Sequence, residues 1–223
     1  MKPIYFLWII LLLASCSVDN FDAPDVTVKG KIIDAETNEL VESGGANGGS
    51  VVKFYQDNST QPLIYNTFPD GTFINNRVFA GNYTYVAEGA FKLAVASPQN
   101  ITVDKDVSIE IKVIPNVRLK IVVTKLGTTS AKVKVSFQKL ALDQKLVQVA
   151  VMWSNYPQPN NFTFPGGAIL QQDVSALNLT AGEREFTIEN LKPNTHYYIR
   201  ASSRTNNPGS YYNYSTQFEL QTN

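Results

Sequence analysis

The sequence feature that most constrains the fold is an alternation of apolar and polar residues with a period of two. Short runs rich in Val, Ile, Thr, Tyr and Phe carry it, and Gly, Pro, Asn and Asp separate them. Successive side chains of a β-strand point to opposite faces, so the pattern predicts strands buried on one side. The sequence predicts an all-β chain with eleven strands, at 26–33, 50–55, 82–87, 101–103, 107–114, 119–123, 132–137, 146–153, 185–188, 197–201 and 217–220.

The number of strands and the chain length together predict two domains. Eleven strands are too many for one small β-sandwich, whereas two all-β domains of about 100 residues each fit the chain. Pro115-Asn116 lies between two strand patterns and is the expected boundary. The sequence therefore predicts two β-sandwiches in tandem, at 26–114 and 115–223.

The N-terminus has the three-part layout of a secretory signal. Lys2 supplies a positive charge, residues 4–14 are uncharged and apolar, and small residues follow before Cys16. The apolar run is too short to span a bilayer, which needs about 20 apolar residues. We expect residues 1–15 to be a signal peptide that is cut off before Cys16.

Leu13-Ala14-Ser15-Cys16 resembles the lipobox of bacterial lipoproteins. The resemblance implies that the Cys16 thiol is alkylated with diacylglycerol and that the new amino group is usually acylated. Cys16 is the only cysteine, so no intrachain disulfide can form, and a lipid accounts for a lone thiol in an oxidising compartment. Several acyl chains anchor a protein far better than one. The alternative is a secreted protein with an incidental cysteine.

We interpret the segment 16–25 as a lipidated cysteine followed by a short polar tether. Its acidic residues are similar to the surface-export signal of Bacteroidetes-type lipoproteins, although Asp19, Asp22 and Asp25 are scattered. We expect an outer-membrane, cell-surface location, with a plain linker and the periplasmic leaflet as the alternative. Without residues 1–15 the chain has 18 Lys and Arg against 19 Asp and Glu. This balance predicts no binding to nucleic acid, and membrane attachment through lipid rather than charge.

The first predicted domain resembles the carboxypeptidase-regulatory-like, transthyretin-related β-sandwich, on residues 28–34, 69–73 and 79–85. Asp70-Gly71 is a hairpin-turn signal, because glycine tolerates the positive φ of such turns. The glycine-rich stretch 44–49 lacks the Gly-Lys-Ser/Thr ending and the following helix of a phosphate-binding loop. We therefore interpret it as a flexible loop, and the sequence predicts no cofactor.

The second predicted domain resembles a fibronectin type III domain on residues 191–201, which match the E–F corner and F strand. The resemblance implies that Tyr197 is buried and hydrogen-bonds to nearby backbone as a tyrosine corner. Alternation then points Tyr197 and Ile199 inward, and His196, Tyr198 and Arg200 outward.

The topology of that family also implies where the loops lie. The F–G loop, residues 206–214, shares an end with the N-terminus of the domain and is expected to face the first domain. The C–C′ segment, residues 154–167, is expected to project from the end farthest from the linker. Loops at the ends of such sandwiches are where function usually resides.

Taken together, these features resemble a family of Bacteroidetes-type surface lipoproteins of uncharacterised function. Genes of that family commonly accompany the outer-membrane transporter and glycan-binding lipoprotein of polysaccharide-uptake systems. The resemblance implies a membrane-anchored protein whose partners are that transporter, its glycan-binding lipoprotein, and a polysaccharide or oligosaccharide.

The composition argues against an enzyme. One histidine, a single lipid-bound cysteine and no metal-ligand spacing leave no Ser-His-Asp, Cys-His or zinc arrangement. Two carboxylates would suffice for a glycosidase, but acids on an exposed sheet are usually solubilising charge. The acids considered are Asp173, Glu183, Glu185 and Glu189.

Glycan binding is the function that the residues favour, because aromatic rings with polar handles stack on sugar faces. The candidate ligand residues lie in the C–C′ segment. Two alternatives remain: the aromatic residues pack onto the sandwich, or the protein is a purely structural docking subunit without glycan affinity. Trp153 is more often a core residue, and the F–G loop tyrosines are expected to contact the first domain. The predicted site consists of Tyr156, Asn160, Asn161, Phe162 and Phe164.

Overall fold

The computed structural model describes residues 23–57 and 59–223, so the predicted signal peptide and Cys16 lie outside the described residues. The described chain is almost entirely β, with one 3₁₀ turn at Ser175–Leu177. Its strands are β1 (Val26–Asp34), β2 (Val51–Gln56), β3 (Leu63–Asn66), β4 (Thr72–Val78), β5 (Gly81–Glu88), β6 (Phe91–Leu93), β7 (Gln99–Val103), β8 (Val107–Pro115), β9 (Val117–Lys125), β10 (Ala131–Lys139), β11 (Leu146–Ser154), β12 (Ala168–Asp173), β13 (Ala181–Ile188), β14 (His196–Thr205), β15 (Tyr212–Tyr214) and β16 (Phe218–Gln221).

Strands β1–β8 form the first sandwich, from two four-stranded sheets. One has the order β4-β1-β8-β6 and the other β3-β2-β5-β7, and β1 and β8 run parallel. Inward-facing residues of both sheets meet in one hydrophobic core, as the period-two pattern predicts. The largest fully buried aromatic residues in that core are Phe54, Phe73 and Tyr83.

Strands β9–β16 form the second sandwich. A three-stranded sheet, β13-β10-β9, packs against the sheet β12-β11-β14-β15, in which β16 also pairs with β14. Its core is separate from that of the first sandwich and includes Val133, Trp153 and Ile199. The prediction of an all-β chain with two tandem sandwiches is confirmed.

Tyr197 closes a corner before strand β14. Its ring is buried, and its hydroxyl accepts a hydrogen bond from the backbone N–H of Lys192 at 3.1 Å. A phenol oxygen bonded in this way to nearby backbone satisfies a polar group that would otherwise be costly to bury. The corner therefore holds the start of β14 against the chain that precedes it.

A single residue, Asn116, separates β8 from β9. Its backbone N–H donates to Ala90 O at 2.8 Å, and its carbonyl accepts from Leu140 N at 2.8 Å. Because the junction is bonded to both sandwiches, the boundary at Pro115-Asn116 is a rigid corner rather than a free linker.

All eleven predicted strands are present, but five others were missed. These five are β3, β4, β6, β12 and β15, and each lies at or beside the edge of its sheet. Edge strands are partly solvated, so burial does not impose a strict alternation on their sequence. Asn and Gln residues in β4, β12 and β15 weaken the pattern further.

The predicted Asp70-Gly71 turn is present, but it is not a hairpin within one sheet. Gly71 has φ +80° and its N–H donates to Phe68 O at 2.9 Å. The strands on either side, β3 and β4, belong to different sheets. The turn therefore carries the chain from one face of the sandwich to the other.

Candidate functional site

One end of the first sandwich rests against the side of the second. Arg118 of β9 binds Asp34 with 2.6 Å between Nε and Oδ2, and Asn213 Nδ2 donates to Ala90 O at 2.9 Å. Arg200 points away from the core of the second sandwich, as predicted, yet is 0% exposed because Glu42 and Ser43 of the first sandwich cover it. The sandwiches therefore pack end against side.

The expected position of the C–C′ segment is wrong. Instead of projecting away, the segment contacts the first domain: Asn160 Nδ2 donates to Gly44 O at 3.0 Å, and Phe162 lies against Gly48. The prediction assumed domains stacked end to end. Because one end of the first domain rests against the side of the second, both the C–C′ segment and the F–G loop reach it.

The glycine-rich stretch 44–49, for which the sequence predicts a flexible loop, forms a turn at this interface. The Ser43 hydroxyl oxygen accepts from the backbone N–H groups of Gly45 and Ser50, at 3.3 and 3.0 Å. Gly48 has φ +71°, a conformation that favours glycine, and leaves room for the Phe162 ring. The second domain thus covers a segment that is too glycine-rich to hold one conformation alone.

The F–G loop faces the first domain, as expected. The Tyr211 hydroxyl donates to Glu88 Oε2 at 3.4 Å. Tyr214 is buried, and burial raises the pKa of its hydroxyl to about 12. These two tyrosines are therefore interface residues rather than an open sugar platform.

The five predicted ligand residues differ in their solvent exposure and in the hydrogen bonds that they already make. The side-chain polar atoms of Asn160 already have hydrogen-bond partners. Its oxygen accepts from the N–H groups of Phe162 and Thr163, and its amide donates to the carbonyl of Gly44. Asn161 is half-buried, and its side-chain oxygen has no partner among the described residues. Tyr156 and Phe162 are exposed, by 64% and 60%, and Phe164 is half-buried. Asn160 therefore stabilises the fold of the segment, whereas the aromatic residues remain accessible to a ligand.

A polar row crosses the outer face of the larger sheet of the second domain. In the strand register Gln148 stands opposite Asp173 on one side and Arg204 on the other, and Arg204 stands opposite Tyr212. Paired Cα atoms of antiparallel strands are about 4.5–5.5 Å apart, so the row spans about 15 Å. The first domain covers the neighbouring part of this face at Arg200 but leaves the row open.

Three residues of the row, Asp173, Gln148 and Arg204, form the floor of an open cavity of about 620 Å³, and Tyr212 lies beyond its edge. The F–G loop forms one wall and the 3₁₀ turn another. The polar lining is rich in side-chain amides and hydroxyls. The lining residues are Val147, Gln148, Gln171, Asp173, Ser175, Arg204, Thr205, Asn206, Asn207 and Ser210.

Hydrogen bonds within the cavity leave an acceptor on Gln148 and a donor on Gln171 without partners among the described residues. Gln148 Nε2 donates to Gln171 Oε1 at 2.6 Å, so Gln148 retains its carbonyl oxygen and Gln171 retains its NH₂ group. The side chain of Asn207, by contrast, already stabilises the F–G loop, because it donates to Tyr211 O and accepts from Tyr211 N. The two glutamines can therefore bond a hydroxyl, which both donates and accepts.

Two opposite charges stand at different points of the floor. Asp173 accepts from Ser175 N at 2.8 Å, and its hydrogen bonds with Ser175 lower the pKa of its carboxyl group. The Arg204 guanidinium lies over the Tyr212 ring, 5.5 Å from its centroid. Tyr212 meets Phe162 edge to face, with ring centroids 6.0 Å apart. The site thus continues from the polar row to the exposed aromatic residue that the sequence predicted.

The carboxylates considered as a catalytic pair are not brought together at this site. Glu183 and Glu185 lie on the other sheet, where they pair with Lys134 and Lys132 at 3.1 and 3.2 Å. Among the described residues, no group of three or more His, Cys, Asp and Glu side chains could hold a metal ion. The described part of the chain also has no helix that is long and apolar enough to cross a membrane.

The fold is similar to that of several solved structures. A candidate carbohydrate-binding protein from Bacteroides uniformis matches with a TM-score of 0.73 and 21% identity, over 89% of this chain and 99% of that one. DUF3823 family proteins from Bacteroides uniformis and Parabacteroides merdae match with TM-scores of 0.76 and 0.71 and identities of 14% and 16%. Both matches cover 90% of this chain and all of the other.

Comparison of the sequence with family models and with curated proteins finds no match. At the identities of the solved structures, the likeness shows that the two-domain fold is shared. The arrangement of two sandwiches is therefore not peculiar to this chain.

Proposed function

We propose that this protein is a lipid-anchored surface lipoprotein that binds a glycan on the outer sheet face of its second domain. The observation that carries the proposal is the open polar row from Asp173 to Tyr212, with its cavity of about 620 Å³. Sugars need many hydrogen-bonding groups and an aromatic surface, and this face supplies both. The amides come from Gln148 and Gln171, and the aromatic surface from Tyr212 and Phe162.

Two further points support the proposal. The likeness to a candidate carbohydrate-binding protein from Bacteroides uniformis extends over nearly the whole length of both chains. The lipobox-like residues before Cys16 would place the protein on a membrane, where an accessory to a glycan-uptake transporter would meet its polysaccharide. We propose binding rather than catalysis, with no cofactor.

A glycan screen with the full-length protein in detergent micelles tests this function. Polysaccharides in affinity gels and oligosaccharides on an array would identify a ligand. Gln148→Ala should then weaken binding by about fivefold, as expected for the loss of one hydrogen bond. Gln138→Ala, on an exposed position of the opposite sheet, is the matched control and should bind like the wild type.

The same screen measures how far the site extends. Phe162→Ala should weaken binding because this ring continues the row through Tyr212. Tyr156→Ala and Phe164→Ala report whether the rest of the C–C′ segment takes part, as the sequence predicts. A broad screen in which the wild type binds no glycan would contradict the proposal.

One observation favours the alternative of a docking subunit without glycan affinity. Exposed apolar side chains lie on the edge strands β3 and β4 and on the turn between them, at Leu63, Ile64, Phe68 and Ile74. Exposed apolar groups on an open sheet edge are typical of protein contact sites. Crosslinking in native membranes, compared between wild type and Ile64→Lys, tests whether this edge binds a transport complex.

A further inference from the structure

Among the described residues, Arg204 has no counterion. Its Nε atom is buried, and neither Nε nor the terminal nitrogens have a hydrogen-bond or ion-pair partner among the described residues. A guanidinium carries five donors and stays charged at any physiological pH. Leaving such a group partly buried and unpaired is unfavourable, so the free protein keeps a cation ready for an incoming acceptor.

The surrounding groups do not supply that acceptor. Arg204 is the one cation and Asp173 the one anion among the described residues that line the cavity. Asp173 lies two strands away, at about 10 Å between Cα atoms, and bonds to Ser175. Tyr212 offers the guanidinium its ring, 5.5 Å from the guanidinium carbon to the ring centroid, rather than an oxygen acceptor. An acceptor for Arg204 must therefore come from outside the described residues.

We infer that the glycan bound by this cavity carries an anionic group, a uronic acid carboxylate or a sulfate ester, that pairs with Arg204. The N–H groups of a guanidinium can bond two oxygens of a planar carboxylate or of a tetrahedral sulfate, and charge-assisted hydrogen bonds are about twice as strong as neutral ones. Sugar hydroxyls farther along the row meet the free groups of Gln148 and Gln171, and Asp173 accepts from a hydroxyl at the far end. This inference rests on the proposed function and specifies its ligand class.

Isothermal titration of the full-length protein in micelles tests the inference with three matched probes. They are an oligogalacturonate, its carboxyl-reduced neutral counterpart, and a sulfated oligosaccharide of the same length. At low salt the wild type should bind a charged probe at least tenfold more tightly than the neutral one. The preference should shrink as salt is raised, since the guanidinium is partly solvated. Comparison of the two charged probes distinguishes carboxylate from sulfate.

Arg204→Gln should abolish the preference, so that charged and neutral probes bind equally. Arg204→Lys keeps the charge without the fork and should retain part of it. Arg184→Gln, on β13 of the opposite sheet, is the matched control and should bind all probes like the wild type. Melting temperatures of the three variants verify that each is folded.

Two other outcomes are distinguishable. If wild type and Arg204→Gln bind the neutral probe as tightly as the charged ones, the inference is wrong while the glycan-binding function stands. If neither the charged and neutral probes nor the broader glycan screen gives binding, the proposed function and the inference fail together.

Discussion

Arg200 of the second domain and Glu42 of the first form an ion pair across the domain boundary, with 2.9 Å between Nη2 and Oε2. The guanidinium also donates to the carbonyls of Ser43 and Ser215 and lies 4.7 Å from the centroid of the Tyr214 ring. Burial disfavours both charges: it lowers the pKa of Arg200 and raises that of Glu42. The pair is stable because water does not reach the guanidinium, so each charge is stabilised by the other instead of by solvent.

Glu42→Gln should therefore destabilise the protein by about 3 kcal/mol, because it leaves a fully buried guanidinium without its counterion. Urea unfolding measures the loss. Glu110→Gln, which breaks the exposed pair with Lys31, is the matched control and should leave the unfolding midpoint unchanged. Equal stability of the two variants would contradict the assigned packing of the domains.

The ion pair between Asp34 and Arg118 should make stability depend on acid pH. Burial alone would raise the pKa of Asp34, but hydrogen bonds from Arg118 and from Glu36 N–H hold it below its usual value. A depressed folded-state pKa adds stability above the unfolded-state pKa of about 4, and this stability is lost as pH falls through the folded-state pKa. Asp34→Asn should remove that component, so its unfolding free energy should vary less with pH below about 4. An acid dependence identical to that of the wild type would exclude this pair as its source.

Tyr197→Phe should destabilise the second domain by about 1 to 3 kcal/mol, because it leaves the backbone N–H of Lys192 without its partner. Thermal unfolding measures the change. Tyr198→Phe is the matched control, since the neighbouring ring points outward and its loss of a hydroxyl should cost nothing measurable. Equal melting of the two variants would show that the corner does not stabilise this domain.

Trp153 and Tyr156 lie three residues apart, but truncation should lower the stability of the protein only at Trp153. Trp153 belongs to the core of the second domain, so Trp153→Ala should cost about 3 kcal/mol or more. Tyr156 is mostly exposed, and Tyr156→Ala should melt close to the wild type. Differential scanning calorimetry compares them, and early melting of Tyr156→Ala would mean that its ring packs on the sandwich.

On the proposal that this protein is a lipoprotein, Cys16→Ala should leave it unlipidated and largely retaining its predicted signal, because lipid modification of the cysteine would precede cleavage. Mass spectrometry of the N-terminus and fractionation of membranes measure both effects. Ser15→Ala, which keeps a small residue before the cysteine, is the matched control and should be processed normally. Recovery of normally processed, membrane-bound Cys16→Ala protein would rule out a lipoprotein.

The amino-acid sequence by itself determined the strands that bury one face. Strand β10 alternates strictly, because a one-residue change of register would turn its apolar side chains to solvent. The same alternation predicted that Tyr197 points inward and Arg200 outward. The edge strands β12 and β15 escaped prediction because both of their faces tolerate polar residues.

The tertiary structure decided what the outward faces meet. Arg200 is outward in its own sandwich and fully buried in the protein, because the first domain covers it, and the pattern of a single strand contains no information about such a neighbour. The row of Asp173, Gln148, Arg204 and Tyr212 draws one residue from each of four strands, which together extend over residues 146–214. Only the register between strands aligns them, so the candidate site exists in the folded sheet and in no continuous segment of the chain.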